Sequence, residues 1–170
     1  MRKIQFGCGG NRLTGWENYD MEVDITKPLP FENDSVDAIL AEHVVEHVTI
    51  QEAWNFFEEC LRILKSGGVM RIAVPSASKI FNLADQEYFD FIKQNGWGEA
   101  NLKDSVRSII FNHGHQTIWE IKSLEAIIQC QGFVLCDSTP EVLENTLHHY
   151  KVIGKKINNI ETEIVDCYKP

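Results

Sequence analysis

The sequence predicts an α/β fold built on a mostly parallel sheet. Three observations predict it. Short apolar segments alternate with turns and amphipathic stretches, the pattern of parallel strands joined by crossovers. The first such segment, Lys3–Phe6, runs directly into Gly7-Cys8-Gly9-Gly10. Hydrophobic residues make up 44 % of 170, enough for one core without disulfide staples.

The elements follow in order. Lys3–Phe6 reads as a short buried strand and Trp16–Met21 as a weaker one. Pro28 and Pro30 make residues 24–31 an extended connection rather than a helix. Asn33-Asp34-Ser35 is a turn signal before a strand at Val36–Ala41. Thr49 and Glu52 form a capping-box pattern. Ala53, Phe56, Phe57, Cys60, Leu61 and Leu64 then recur at helical spacing, and Gly67-Gly68 is expected to end that helix. A strand at Val69–Val74 breaks at Pro75. Residues 76–112 are less regular, with helical stretches at Tyr88–Gln94 and Leu102–Phe111 around Gly96-Trp97-Gly98. Ile121, Leu124, Ile127 and Ile128 share one face of a helix over Ile121–Cys130, closed by Gly132. Strands at Phe133–Cys136 and Glu163–Cys167 complete the chain. No linker divides it, so the expectation is one domain over residues 1–170, with 76–120 as a lid or substrate insertion.

Charge and cysteine content bound the partners. A formal net charge of −9 argues against nucleic acid, whose phosphates need clustered Lys and Arg. The run Lys151, Lys155 and Lys156 is short and reads as a solvated loop. Five cysteines, with no Cys-x-x-Cys pair, fit reduced thiols in the cytoplasm better than a disulfide framework or a zinc ribbon. No signal-peptide core and no bilayer-length apolar run is present, so no membrane partner is expected.

The glycine loop leaves bare backbone at the carboxyl end of a strand, where open parallel sheets bind ligands. By itself a Gly-x-Gly pair is weak evidence and more often marks an ordinary tight turn. Arg12 stands where a dinucleotide fingerprint needs glycine, which disfavours a nicotinamide-dependent oxidoreductase. No Gly-Lys-Ser/Thr follows either, so a nucleoside ligand without a pyrophosphate fits best. Asp20, at the end of the second strand, can accept both ribose hydroxyl protons. Asp24 can accept a hydrogen bond from an adenine amino group, with Ile25 beside it as apolar contact and backbone donor. The plainer reading is two loop aspartates.

The ordered set of segments is what decides. Phe6-Gly7-Cys8-Gly9 is followed by Gly15-Trp16-Glu17-Asn18-Tyr19-Asp20, then Asp24 through Leu29-Pro30-Phe31 and Asn33-Asp34-Ser35-Val36-Asp37. Glu42-His43-Val44-Val45-Glu46-His47, residues 61–68, Arg71-Ile72-Ala73-Val74-Pro75, His113-Gly114-His115 through Trp119, Gly132-Phe133 and Lys169-Pro170 continue it. Over nearly its whole length the chain resembles short, single-domain class I S-adenosylmethionine-dependent methyltransferases. That resemblance implies a Rossmann-like class I methyltransferase fold: a mostly parallel twisted sheet with an antiparallel last strand. Little room lies between Asp20 and Asp24, so the helices between the first three strands should be trimmed.

The resemblance also implies site roles. Gly7, Cys8 and Gly9 would line the methionine portion of S-adenosylmethionine. Asp20 would bind the ribose, Met21 would pack on adenine, and Asp24 and Ile25 would read the adenine edge. Glu42 and His43 would sit by the cofactor's amino-acid end. Two positions differ from the usual pattern: Gln5 replaces an acidic residue and Asn11 replaces a third glycine.

His43-Val44-Val45-Glu46-His47 formally matches H-x-x-E-H, a zinc-protease motif. Zinc there needs both imidazoles on one helical face and a third ligand. A strand-to-helix turn beside the cofactor is the better reading, and no metal is assigned. His113 and His115 are the candidate catalytic residues, either as a general base or as pins of a loop over the cofactor. Tyr88, Phe89, Phe91, Trp97 and Phe111 serve either as buried area, the favoured reading, or as a substrate lid. His148 and His149 carry no assignment. The expected activity is methyl transfer to an unidentified small or medium-sized acceptor. The alternative is an inactive binding or regulatory subunit.

Overall fold

The computed structural model describes residues 1–76, 78–79, 90, 94, 107, 113–136 and 162–170. Among the described residues six strands form one sheet: β1 (Lys3–Phe6), β2 (Glu17–Tyr19), β3 (Val36–Glu42), β4 (Leu64–Pro75), β5 (Val134–Leu135) and β6 (Thr162–Tyr168). Their order is β2-β1-β3-β4-β6-β5. β1 pairs in parallel with β2 and β3, and β3 in parallel with β4. β6 runs antiparallel to both β4 and β5. The sheet is therefore mostly parallel with an antiparallel last strand, as the resemblance implies. β3 sits at its centre, and the side chains of Ala38 through Ala41 are all buried, on both faces. Such a strand reads as a continuous apolar run rather than an alternating one.

No helix stands between β1 and β2 or between β2 and β3. A side-chain clamp holds the second connection instead. The Leu29 N–H donates to Glu59 Oε2 at 2.7 Å. Arg62 donates to the Leu29 carbonyl at 3.0 Å and the Phe31 carbonyl at 2.8 Å. The Arg62 guanidinium keeps the Glu59 carboxyl below its ordinary range, so the clamp stays charged near neutral pH.

Helix α1 (Ile50–Ile63) covers one face of the sheet. The expected capping box is present: the Glu52 N–H donates to Thr49 Oγ1, and the Thr49 N–H donates to Glu52 Oε2 at 2.8 Å. Thr49→Ala should lower stability by about 1 kcal/mol, read as a fall in the thermal unfolding midpoint. Phe56, Phe57, Cys60 and Ile63 face inward, and Phe56 meets Phe6 of β1 edge-on with ring centroids 5.3 Å apart. Helix α2 (Ile121–Cys130) buries Leu124 and Ile128 and ends before Gly132 at φ +106.

Several expected bounds need correction. Leu64 is not the last helical core residue. Its backbone is extended, its side chain is fully buried, and it pairs with Val36. Gly67-Gly68 does not cap α1 but lies within β4, where the register against β3 shifts between Val36 and Ala38. A Cβ on Gly68 would come within 2.8 Å of the Lys65 carbonyl, so that irregularity admits only glycine. β2 keeps just Glu17–Tyr19 of the segment 16–21, since Met21 is 91 % exposed and has no neighbouring strand. β3 extends one residue further, to Glu42. β5 is shorter than Phe133–Cys136, and β6 gains a residue at each end.

All five cysteines are free thiols. Burial pushes the thiols of Cys60 and Cys167 well up, and that of Cys136 up to about 11, which leaves none of the three a ready nucleophile. Among the described residues, no helix is long and apolar enough to cross a membrane. The helices expected at Tyr88–Gln94 and Leu102–Phe111, the aromatic set around them, the lysine run at 151–156 and His148-His149 fall outside the described residues, apart from isolated positions. The insertion expected at 76–120 is described mainly at its ends.

Candidate functional site

Strand order fixes where a ligand can go. β1 leads to β2 on one side, while its other neighbour, β3, leads to β4 in the opposite direction. The carboxyl ends of β1 and β3 thus flank a topological switch point, the place where open parallel sheets leave a crevice. Phe6 pairs with Ala41, so Gly7 and Glu42 are the next residues out on adjacent strands.

The glycine loop follows β1. Gly7 has φ +62, and a Cβ there would collide with Val44 of the loop after β3. The two loops are in direct contact, and only a residue without a side chain lets them meet. Gly9 has φ +47, and a Cβ on Gly9 or Gly10 would meet nothing within 4 Å, so open space lies over this stretch. The Cys8 N–H donates to the Tyr19 carbonyl at 3.1 Å and ties the loop to β2, while the Cys8 side chain is buried. Beneath the loop, Gln5 is 2 % exposed and donates through Nε2 to the Asn11 carbonyl at 3.2 Å. Its Oε1 is buried with no hydrogen-bond partner among the described residues. Such an atom costs folding free energy unless something else donates to it.

Asp20, Asp24 and Ile25 follow β2. Glu22 accepts from the Asp20 backbone N–H at 2.7 Å, which fixes the turn that carries the Asp20 carboxylate. Asp24 Oδ1 accepts from the Thr26 hydroxyl at 2.7 Å and the Thr26 N–H at 2.9 Å. Those bonds hold its carboxyl below the usual range, so Asp24 is an anion and an acceptor near neutral pH. Met21 stands exposed and Ile25 half-buried.

After β3, His43 takes φ +55, uncommon for a residue with a side chain. Its N–H donates to the Ala73 carbonyl at 2.9 Å, and its Nε2 lies 3.1 Å from Thr162 Oγ1. A 3-10 turn at Val45–His47 follows. The segment 113–119 is stapled onto it. The N–H groups of Gln116 and Thr117 both donate to the Glu46 carbonyl, at 2.8 and 3.1 Å. Gln116 Nε2 donates to the His47 carbonyl at 2.7 Å. His115 is thereby brought to His47, ring centroids 4.8 Å apart, with His113 6.1 Å from His115.

The structure thus gathers two groups at one end of the sheet. Gly7, Cys8, Gly9, Asp20, Met21, Asp24 and Ile25 follow β1 and β2. Glu42, His43, His113 and His115 gather around the end of β3. Sequence reasoning passed over Glu46 as a site residue. It is 1 % exposed, its Oε1 lies 3.3 Å from His43 Nδ1 and 4.0 Å from His47 Nε2, and neither oxygen accepts a hydrogen bond among the described residues. The signal was present in H-x-x-E-H, but its partner, His115, lies far along the chain.

The family described as "Methyltransferase domain" matches residues 11–72, from just after the glycine loop into β4. No curated protein sequence matches the chain. Several solved structures share its fold at low identity. A protein from Pyrococcus horikoshii is 14 % identical with a TM-score of 0.58, over 99 % of this chain and 82 % of that one. A SAM dependent methyltransferase from Archaeoglobus fulgidus is 13 % identical with a TM-score of 0.53, over 99 % and 86 %. Phosphoethanolamine N-methyltransferase 2 of Haemonchus contortus, in complex with S-adenosyl-L-methionine, is 15 % identical with a TM-score of 0.52, over 100 % of this chain and 49 % of that one. The domain match over residues 11–72 and the mostly parallel sheet with its antiparallel last strand make the chain similar, in fold, to S-adenosylmethionine-dependent methyltransferases.

Proposed function

We propose that the crevice between the ends of β1 and β3 transfers a methyl group from S-adenosylmethionine to a small or medium-sized acceptor. The observation that carries the reading is the glycine loop itself: pressed against Val44 at Gly7, open above Gly9 and Gly10, with the unsatisfied Gln5 Oε1 beneath it. The residues present fit the cofactor. Gln5 Oε1 accepts from its ammonium group without the charge an acidic residue would bring. The Asp20 carboxylate accepts from the ribose hydroxyls. Asp24 and Ile25 would meet the adenine edge, and the exposed Met21 would cover the adenine face. Bound there, S-adenosylmethionine supplies a methyl group on a sulfonium, a leaving group that needs no protonation. The protein's part is then positioning and exclusion of water. His113 and His115, held at the end of β3, orient the acceptor or take its proton.

Asp20→Ala should weaken S-adenosylhomocysteine binding by about 1–3 kcal/mol, measured by calorimetry at constant folded fraction. Affinity unchanged within twofold would remove Asp20 from the ribose site. Methyl-transfer assays against hydroxyl, amine and carboxylate acceptors test the activity itself. Tight product binding with no transfer to any of them would favour a binding subunit.

A further inference from the structure

We propose that Glu46, His47 and His115 form a binding site for one divalent transition-metal ion. One ligand atom from each residue lies within 4.8 Å of the other two. Donors held 2.0–2.1 Å from a tetrahedral ion sit about 3.4 Å apart. Small rotations of two half-exposed imidazoles close that gap, while the carboxylate stays where it is. Two imidazoles and one carboxylate suit zinc, cobalt(II), manganese(II) or iron(II), and three protein ligands leave a coordination position open.

The buried carboxylate is the independent observation. Glu46 is almost inaccessible to water, yet both its oxygens lack a hydrogen bond among the described residues. Charged groups in such surroundings are stabilised by a counter-charge or a metal. His43 Nδ1 and His47 Nε2 lie at 3.3 and 4.0 Å from it, and neither is aligned to make a hydrogen bond. A dication bound by one carboxylate oxygen satisfies the group directly.

The backbone is already arranged for this. Both N–H groups that hold segment 113–119 donate to the carbonyl of Glu46 itself, so the third ligand is positioned by the first. Thr117 Oγ1 adds a bond to the Val45 carbonyl at 3.3 Å. The site differs from the H-x-x-E-H zinc reading in one respect. His115 supplies the second imidazole, and His43 stands behind Glu46 with its Nε2 at Thr162.

One consequence rests on the methyl-transfer reading. Val44, two residues before Glu46, touches the glycine loop, so the ion lies one turn from the cofactor crevice. An acceptor hydroxyl that takes the open position releases its proton more readily and passes it to water. The acceptor class is then an alcohol, a phenol or a vicinal diol.

The test uses the whole chain with cobalt(II) as the probe and no S-adenosylmethionine present. The expected result is one equivalent of cobalt bound, with visible d–d bands stronger than those of the aqueous ion and without intense sulfur charge-transfer absorption. His115→Ala and Glu46→Gln should each weaken cobalt binding at least tenfold, while calorimetry shows S-adenosylhomocysteine bound as by the parent chain. Circular dichroism confirms that each variant is folded. Absence of the bands in the parent chain overturns the proposal, as do bands that persist in both variants or that carry thiolate absorption. Loss of S-adenosylhomocysteine binding with cobalt binding intact would instead overturn the methyl-transfer reading and leave the metal site standing.

Discussion

Asp166→Ala should destabilise the chain by about 3–5 kcal/mol, a large part of the 5–15 kcal/mol that holds an ordinary domain together. Arg71 lies in β4 opposite Asp166 of β6, and its side chain is 3 % exposed. Its Nε and Nη2 donate to the two carboxylate oxygens at 2.6 and 2.7 Å, a bidentate fork. Removing the carboxylate takes from the buried guanidinium the bidentate partner that helps offset its desolvation. Urea unfolding should show a lower midpoint at unchanged slope. Replacing both partners with apolar residues, Arg71→Met with Asp166→Leu, should recover most of the loss, because the penalty comes from burying a charge that has lost its bidentate partner rather than from the absence of the pair. A fall below 1 kcal/mol in the single variant would mean that water reaches Arg71.

This pair also shows what could be read in advance. The apolar periods of β1, β3, β4 and α1 and the Thr49–Glu52 box are local signals, and they give the elements their places. Nothing local says that β6 returns between β4 and β5 or that Arg71 of an apolar strand meets Asp166, since that register is set by tertiary pairing. Leu64 illustrates the same limit. Its spacing continues the helix face, but pairing with Val36 outweighs one more helical turn. Gly67-Gly68 looks like a helix end because glycine serves caps and irregular strands alike.

The site divides along the same line. Gly7 and Asp20 could be picked out because each directly follows a strand whose pattern is local, and Asp24 because it opens the proline-marked connection that follows. Glu46 could not, because its importance comes from burial and from His115. That contact exists only once Gln116 and Thr117 have bonded to the turn after β3. The glycine-loop side of the crevice was therefore legible in the sequence, while the grouping of Glu46, His47 and His115 was not.

Gly7→Ala and Gly9→Ala should separate folding from binding at the same loop. Both glycines have positive φ, so alanine at either position costs about 1–2 kcal/mol of backbone strain. At Gly7 the new methyl also drives into Val44, and overpacking adds about 1–3 kcal/mol. The Gly7 variant should thus lose about 2–5 kcal/mol of stability and unfold well before the parent on heating. At Gly9 the methyl meets nothing in the protein and projects into the open space over the loop. That variant should lose only the strain component, yet bind S-adenosylhomocysteine at least tenfold more weakly, because the methyl occupies room the ligand needs. The ordering matters more than either magnitude. Equal stability losses would mean that the loops after β1 and β3 do not touch. A Gly9 variant that binds normally would mean that the ligand passes elsewhere. The two measurements address the contact and the open space separately, and the proposed crevice requires both.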